Sequence, residues 1–263
     1  MYCTLTGADD TTHIDKLLAL SAQFPVVEWG ILYSQSQRGQ GRFPSFQWIE
    51  KFAQEIRTYP TARMALHVCG RAVRDYIAGV GHDYEIAERF PRVQLNLQAR
   101  DHDIDSLRAR LQQRPDQIVI TQHNMSNANL WRDLGDHSNH ALLFDDSGGR
   151  GKLRQSWPTP LGKVWCGYAG GLGPDNLVSE LPRIHAAAGD AAYWVDMEGQ
   201  LRDEEDRFDL DRAHACINIV SHFFRQHSAG SRADILKPLP RGVADAPKLY
   251  GNEASEEGDH GKD

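Results

Sequence analysis

The sequence predicts a single-domain α/β protein folded as a closed (β/α)8 TIM barrel. Eight short apolar runs have strand character, and most are separated by stretches of helical periodicity. The 263-residue length suits one such domain. Strand–helix alternation implies parallel strands joined by crossovers. Eight units favour closure into a cylinder; an open doubly wound sheet is the alternative.

The expected strands are Tyr2–Thr6, Val26–Tyr33, Met64–Cys69, Val93–Gln98, Gln117–His123, Ala141–Asp145, Val164–Ala169 and Ala192–Met197. Helical patterns lie between them at His13–Gln23, Phe46–Tyr59, Ala72–Ala78, Ile104–Gln113 and Leu177–Ala187. A last helix, Leu210–His227, puts Ala213, Ile217, Val220 and Phe223 on one face. The sixth unit differs. Residues 146–163 are rich in Gly, Pro and Ser with little helical pattern, as in functional loops. The barrel is expected over 1–227. An extended segment, 228–250, follows with Pro238, Pro240 and Pro247, and 251–263 has the composition of a disordered tail. Trp29, Trp165 and Trp194 are expected to fill the core.

Composition narrows the function. The chain is 40% hydrophobic and 25% charged, with a formal charge of -7. It has no basic block, which argues against a nucleic-acid surface. Cys3, Cys69, Cys166 and Cys216 form no CxxC pair and read as free thiols. No basic-then-apolar leader and no apolar run of ~20 residues is present. A cytoplasmic protein that does not enter a membrane is the expectation.

Active sites of parallel barrels form at the C-terminal strand ends. Residues expected there are Cys3, Glu28, His67, Cys69, Asn96, Gln98, Gln122, His123, Asp145, Asp146, Asp196 and Glu198. The segment Leu142–Lys152 leads from a buried strand through Asp145 into Gly148, Gly149 and Gly151. The following strand runs into Gly170-Gly171, with a helix start near Asp175 or Asn176. Glycines let backbone amides approach an anion, and a helix N-terminus adds a positive dipole end. Two such turns on successive late strands fit a phosphate cradle, and the expected partner is a phosphorylated small molecule.

These motifs resemble those of phosphoribosylanthranilate isomerases. The family opens on Cys-Gly-aliphatic-Thr, and this chain on Cys3-Thr4-Leu5-Thr6. Its Ser-Pro-Arg-aromatic loop is similar to Gly41–Ser45, and its Val-Gln-Leu-His strand to Val93–Asn96. Its Asp before Gly-Gly-small-Gly resembles Asp145 before Gly148–Gly151. Its Ala-Gly-Gly-Leu-x-x-x-Asn resembles Ala169–Leu172 with Asn176. The resemblance runs from residue 1 to about 225 in motif order.

It implies an Amadori rearrangement in tryptophan biosynthesis, without cofactor or metal, in a chain that could form a homodimer. Asp145 would be the general acid and Cys3 the general base. Arg42 would hold the substrate carboxylate. Gln94, Gly148, Gly149, Gly151, Gly170, Gly171, Asn176 and Gly199 would be further substrate-binding positions. Cys3 by itself reads as a small apolar residue of the barrel wall. Departures include Thr4 and Asn96, which replace a glycine and a histidine. Glu198 sits beside the anion site, where Arg150 or Arg202 is expected to offset it. Two other readings stay open. One is a metal-dependent aldolase or hydrolase using Glu28, His67, His123, Asp145 and Glu198. The other is a non-catalytic barrel that binds a phosphorylated ligand.

Overall fold

The computed structural model describes residues 1–146 and 151–227. Eight parallel strands close in chain order: β1 (Tyr2–Thr6), β2 (Val27–Tyr33), β3 (Arg63–Cys69), β4 (Arg92–Asn96), β5 (Ile118–His123), β6 (His140–Phe144), β7 (Trp165–Tyr168) and β8 (Tyr193–Met197). Pairing of β1 with β8, Thr4 opposite Asp196, seals the cylinder. Every residue of β1, β2, β6 and β8 is buried. A strand covered on both faces reads as a continuous apolar run, which is why these four stand out in the sequence.

The outer helices are α1 (Ile14–Gln23), α2 (Phe46–Ile56), α3 (Arg71–Ala78), α4 (Gly81–Ala87), α5 (Ile104–Gln113), α6 (Leu130–Leu134), α7 (Leu177–Ala188) and α8 (Leu210–His227). Local chemistry sets several starts. Ser45 caps α2 by accepting from the Trp48 amide, and Asp103 caps α5 through the Asp105 and Ser106 amides. The expected pattern misses α4 and α6. α6 buries only Leu130 and Leu134, one i,i+4 pair, too short a stripe for periodicity to register. Among the described residues between β6 and β7 there is no helix. Segment 228–250 and tail 251–263 lie outside the described residues.

Side chains alternate across the wall. Tyr2, Thr4 and Thr6 of β1 face the lumen, while Cys3 and Leu5 pack among the residues under the helices. The lumen floor is polar at its centre. The Arg92 guanidinium lies 5.0, 4.8 and 5.0 Å from the Tyr2, Trp165 and Trp194 ring centres. It also pairs with Glu28 at 2.9 Å, both side chains fully buried, and Thr4 Oγ1 donates to Glu28 at 2.9 Å. Trp194 fits because β7 carries Gly167, where a Cβ would lie 2.1 Å from the indole. Trp29 faces outward and donates to Ser21 Oγ at 2.8 Å. The tryptophans thus fill the interior, as expected. Glu28 corrects another expectation. It is the second residue of β2 and belongs to this floor, away from the strand ends.

Candidate active site

A cleft of about 1050 Å³ opens at the C-terminal ends of the strands. Strand alternation brings His67, Gln94, Asn96, Gln122, Asp145, Asp196 and Glu198 to its wall. Two of these carboxyls form its chemical centre. Asp145, immediately after β6, accepts from Gln122 Nε2 at 3.2 Å and is 5% exposed. Asp196, in β8, accepts from Thr6 Oγ1 at 2.9 Å. Burial raises the Asp196 pKa well above the usual carboxylate value. The Thr6 hydrogen bond opposes this, and the charges of Glu198, Glu28 and Asp145 add to it. The Asp145 charge is the smallest of these contributions to Asp196.

His67 lies beneath them, 3.9 Å from Asp196. Burial and then the Arg92 charge lower its pKa to about 3, so the ring is neutral at physiological pH. Its Nε2 has no hydrogen-bond partner among the described residues. From the sequence, His67 is a strand-end residue whose one specific expected role is that of a metal ligand. Among the described residues, no three His, Cys, Asp or Glu side chains form a group that could hold a metal ion.

The glycine turns meet after β7, between β6, which leads into Asp145, and β8, which carries Asp196. Gly170 and Gly171 have φ of 115° and 67°, and Gly151 has 65°. Gly171 packs so closely on the chain of Gly151 that a Cβ there would lie 2.6 Å from the Gly151 carbonyl. Asn176 braces this turn from beneath, donating to Gly171 O at 2.7 Å and accepting from the Gly173 amide at 3.0 Å. Asn176 is thus a turn brace, while Gly151, Gly170, Gly171 and Gly199 line the cleft. The amides of Gly170, Gly171 and Leu172 donate no hydrogen bond among the described residues. Unpartnered amides at a glycine turn are anion-seeking groups. Gly148, Gly149 and Arg150 lie outside the described residues.

Cys3 requires a correction. It is the second residue of β1, three residues below the mouth, and its side chain lies in the outer core beside Cys216 of α8. Burial, first of all, drives its thiol pKa far above the ordinary value. It neither faces Asp145 nor lines the cleft, so it cannot be the base. The residue of β1 that does face the mouth is Thr6, followed by Gly7 at φ 106°. The Cys-Gly pair of the resembling motif thus falls on Thr6-Gly7, three residues later. Cys3→Ala is expected to leave turnover within about twofold while costing on the order of 1 kcal/mol of stability from the small cavity. Parallel assays and urea melts check both parts.

Arg42 reaches the rim from the β2–α2 loop, where both terminal nitrogens are occupied. Nη1 pairs with Glu198 at 2.7 Å and Nη2 with Asp206 at 2.9 Å. Arg42 therefore pairs with Glu198, in the place expected for Arg150 or Arg202; Arg202 acts on Glu198 only through its charge, and Arg150 lies outside the described residues. Arg202 instead pairs with Asp9 and Asp206, each at 2.9 Å.

No sequence-family model and no curated protein matches the chain. Solved structures do. TrpF from Jonesia denitrificans is 19% identical with a TM-score of 0.54, over 88% of this chain and 100% of that one. Phosphoribosyl anthranilate isomerase from Thermus thermophilus is 17% identical with a TM-score of 0.57, over 85% and 100%. A phosphoribosyl anthranilate isomerase in complex with reduced 1-(o-carboxyphenylamino)-1-deoxyribulose 5-phosphate is 14% identical with a TM-score of 0.52, over 84% and 100%. At these identities the likeness establishes a shared barrel fold. Among the described residues no helix is long and apolar enough to cross a membrane.

Proposed function

We propose that this chain is a phosphoribosylanthranilate isomerase-like enzyme that converts a phosphorylated ribosylamine into the matching 1-amino-1-deoxyribulose phosphate. One observation carries the reading. Unpartnered amides at Gly170–Leu172 line the same cleft as two buried carboxyls, Asp145 and Asp196. The shared fold with isomerases of this type supports it.

In the proposed reaction the glycine turns hold the phosphate. Asp145 gives a proton to the ribose ring oxygen as the bond from that oxygen to C1 breaks. The nitrogen lone pair forms the C1=N iminium. Asp196 then removes the C2 proton. Those electrons form C1=C2 and neutralise the nitrogen, and the enolamine tautomerises to the aminoketose. C1 is reduced and C2 oxidised within one molecule, so the electrons balance internally. Asp196 takes the role that the sequence resemblance assigned to Cys3, and Thr6 steers it by fixing one carboxylate oxygen. Both carboxyls contribute to the pH dependence. Turnover needs one of them protonated and the other ionised. A bell-shaped kcat profile is expected, and because Asp196 must be ionised to act as the base, its raised pKa places the acid limb above the ordinary carboxylate range.

Incubation with N-(5-phosphoribosyl) arylamines, with the ketose followed by NMR, tests the activity. Failure to convert both the phenyl and the o-carboxyphenyl compound would overturn it. The cradle has its own test. At Gly171 a Cβ would meet the Gly151 carbonyl at 2.6 Å and the Leu153 amide nitrogen at 2.7 Å, at a φ that L-residues rarely adopt. Gly171→Ala should weaken binding of a phosphorylated ketose by about tenfold or more, because charge-assisted hydrogen bonds are lost. Calorimetric titration reads this out.

A further inference from the structure

We infer that Glu198 sets the amine half of the substrate, making the site select an uncharged or cationic amine and disfavour one bearing a carboxylate. This rests on the isomerase reading above and concerns only which ribosylamine is used.

The rim cation that sequence resemblance would give to a substrate carboxylate is already satisfied. Arg42 makes two ion pairs, to Glu198 at 2.7 Å and Asp206 at 2.9 Å. The loop tip that carries it is held in place. Gly39 N donates to Phe43 O at 2.9 Å and Phe43 N to Gln40 O at 3.1 Å. Just beyond, the Ser45 amide donates to Asp10 at 2.7 Å. Asp206 is in turn paired with Arg202, which also holds Asp9. Two guanidiniums thus face three carboxylates, and no positive charge is left over for an incoming anion. Glu198 itself lines the cleft, so it stands where a substrate carboxylate would have to approach Arg42.

Among the described residues, the rest of the cleft lining does not restore the balance. Asp145 and Asp196 add carboxyls to the lining, while Asp146 is paired with Arg154. The cation on the far rim, Arg74 of α3, shares that rim with Asp101. The far rim also offers Leu97 and the exposed Met125, an apolar seat for an aryl or alkyl group. A built-in negative charge is a common way to reject an anionic competitor.

The test compares wild type, Glu198→Gln and Arg42→Met on N-(5-phosphoribosyl)aniline and its o-carboxyl derivative. Thermal melts check that each variant is folded. Wild type should favour the uncharged compound by at least about tenfold in kcat/KM, since like charges brought together in a half-buried site repel strongly. Glu198→Gln frees Arg42 Nη1, removes the opposing charge and should raise use of the carboxylated compound by about tenfold, narrowing the ratio. Arg42→Met should leave the wild-type preference in place. A wild type that prefers the carboxylated compound, and loses that preference in Arg42→Met, would overturn the inference while leaving the isomerase reading intact. Loss of activity on both compounds in wild type would instead sink the isomerase reading. If Glu198→Gln does not fold, the wild-type ratio and Arg42→Met decide alone.

Discussion

Asp145→Asn and Asp196→Asn should each lower kcat by about 10²- to 10⁴-fold, the usual cost of losing a positioned acid or base. Affinity for a phosphorylated ketose should change little, because the proposed phosphate cradle uses backbone amides and neither carboxyl. Single-turnover assays and calorimetry on the same samples separate the two effects. A variant that turns over normally would remove its carboxyl from the mechanism. If both bind ligand and the wild type has no turnover, the chain is a binding protein.

Asp196→Asn carries a second, opposite signature. Burial raises the Asp196 pKa above its unfolded value, so the protonated carboxyl fits the fold and the ionised one does not. Its stabilising contribution is complete below the unfolded pKa and is lost as pH rises through the folded one. The neutral amide avoids that loss. Asp196→Asn should therefore be less destabilised than wild type when denaturation is followed from pH 5 to 9, although it is catalytically poor. A residue that trades stability for a proton site behaves in this way.

Arg92→Met should be the most destabilising single change in the barrel floor, at about 3–5 kcal/mol. The guanidinium is fully buried, is paired with Glu28 at 2.9 Å and lies within 5.0 Å of three aromatic rings. Removing it strands the Glu28 carboxylate in a dry layer. The melting temperature should fall by roughly 10 °C for a domain of this size. The double variant Arg92→Met, Glu28→Gln should recover much of the loss, because it is the unpaired charge and not the missing contact that costs most. A denaturant series on both variants checks the sign of that recovery. Equal losses in single and double variants would mean that the ring contacts dominate.

Much of this architecture is legible in the chain. The strands of β1, β2, β6 and β8 announce themselves because both faces are covered. Gly170-Gly171 and Asp145 stand at strand ends that any reader of the alternation would find. His67 and Asp196 were within the strand-end set, yet nothing local marks them as neighbours. α4 and α6 escaped because a single turn or two of helix leaves too few apolar repeats.

Which end and which face a residue occupies was decided by the folded barrel alone. Cys3 and Thr6 lie three places apart on one strand. An odd offset in a structure of period two puts them on opposite faces, so a small slip in motif matching exchanges an outer-core thiol for a residue of the mouth. Arg42 and Glu198 are 156 residues apart in sequence, and only closure of β8 onto β1 sets their charges side by side. Periodicity and turn chemistry are local, and the sequence by itself determined the barrel and its glycine turns. Facing direction, charge pairing and desolvation depend on what the rest of the chain brings near, and the tertiary structure settled them.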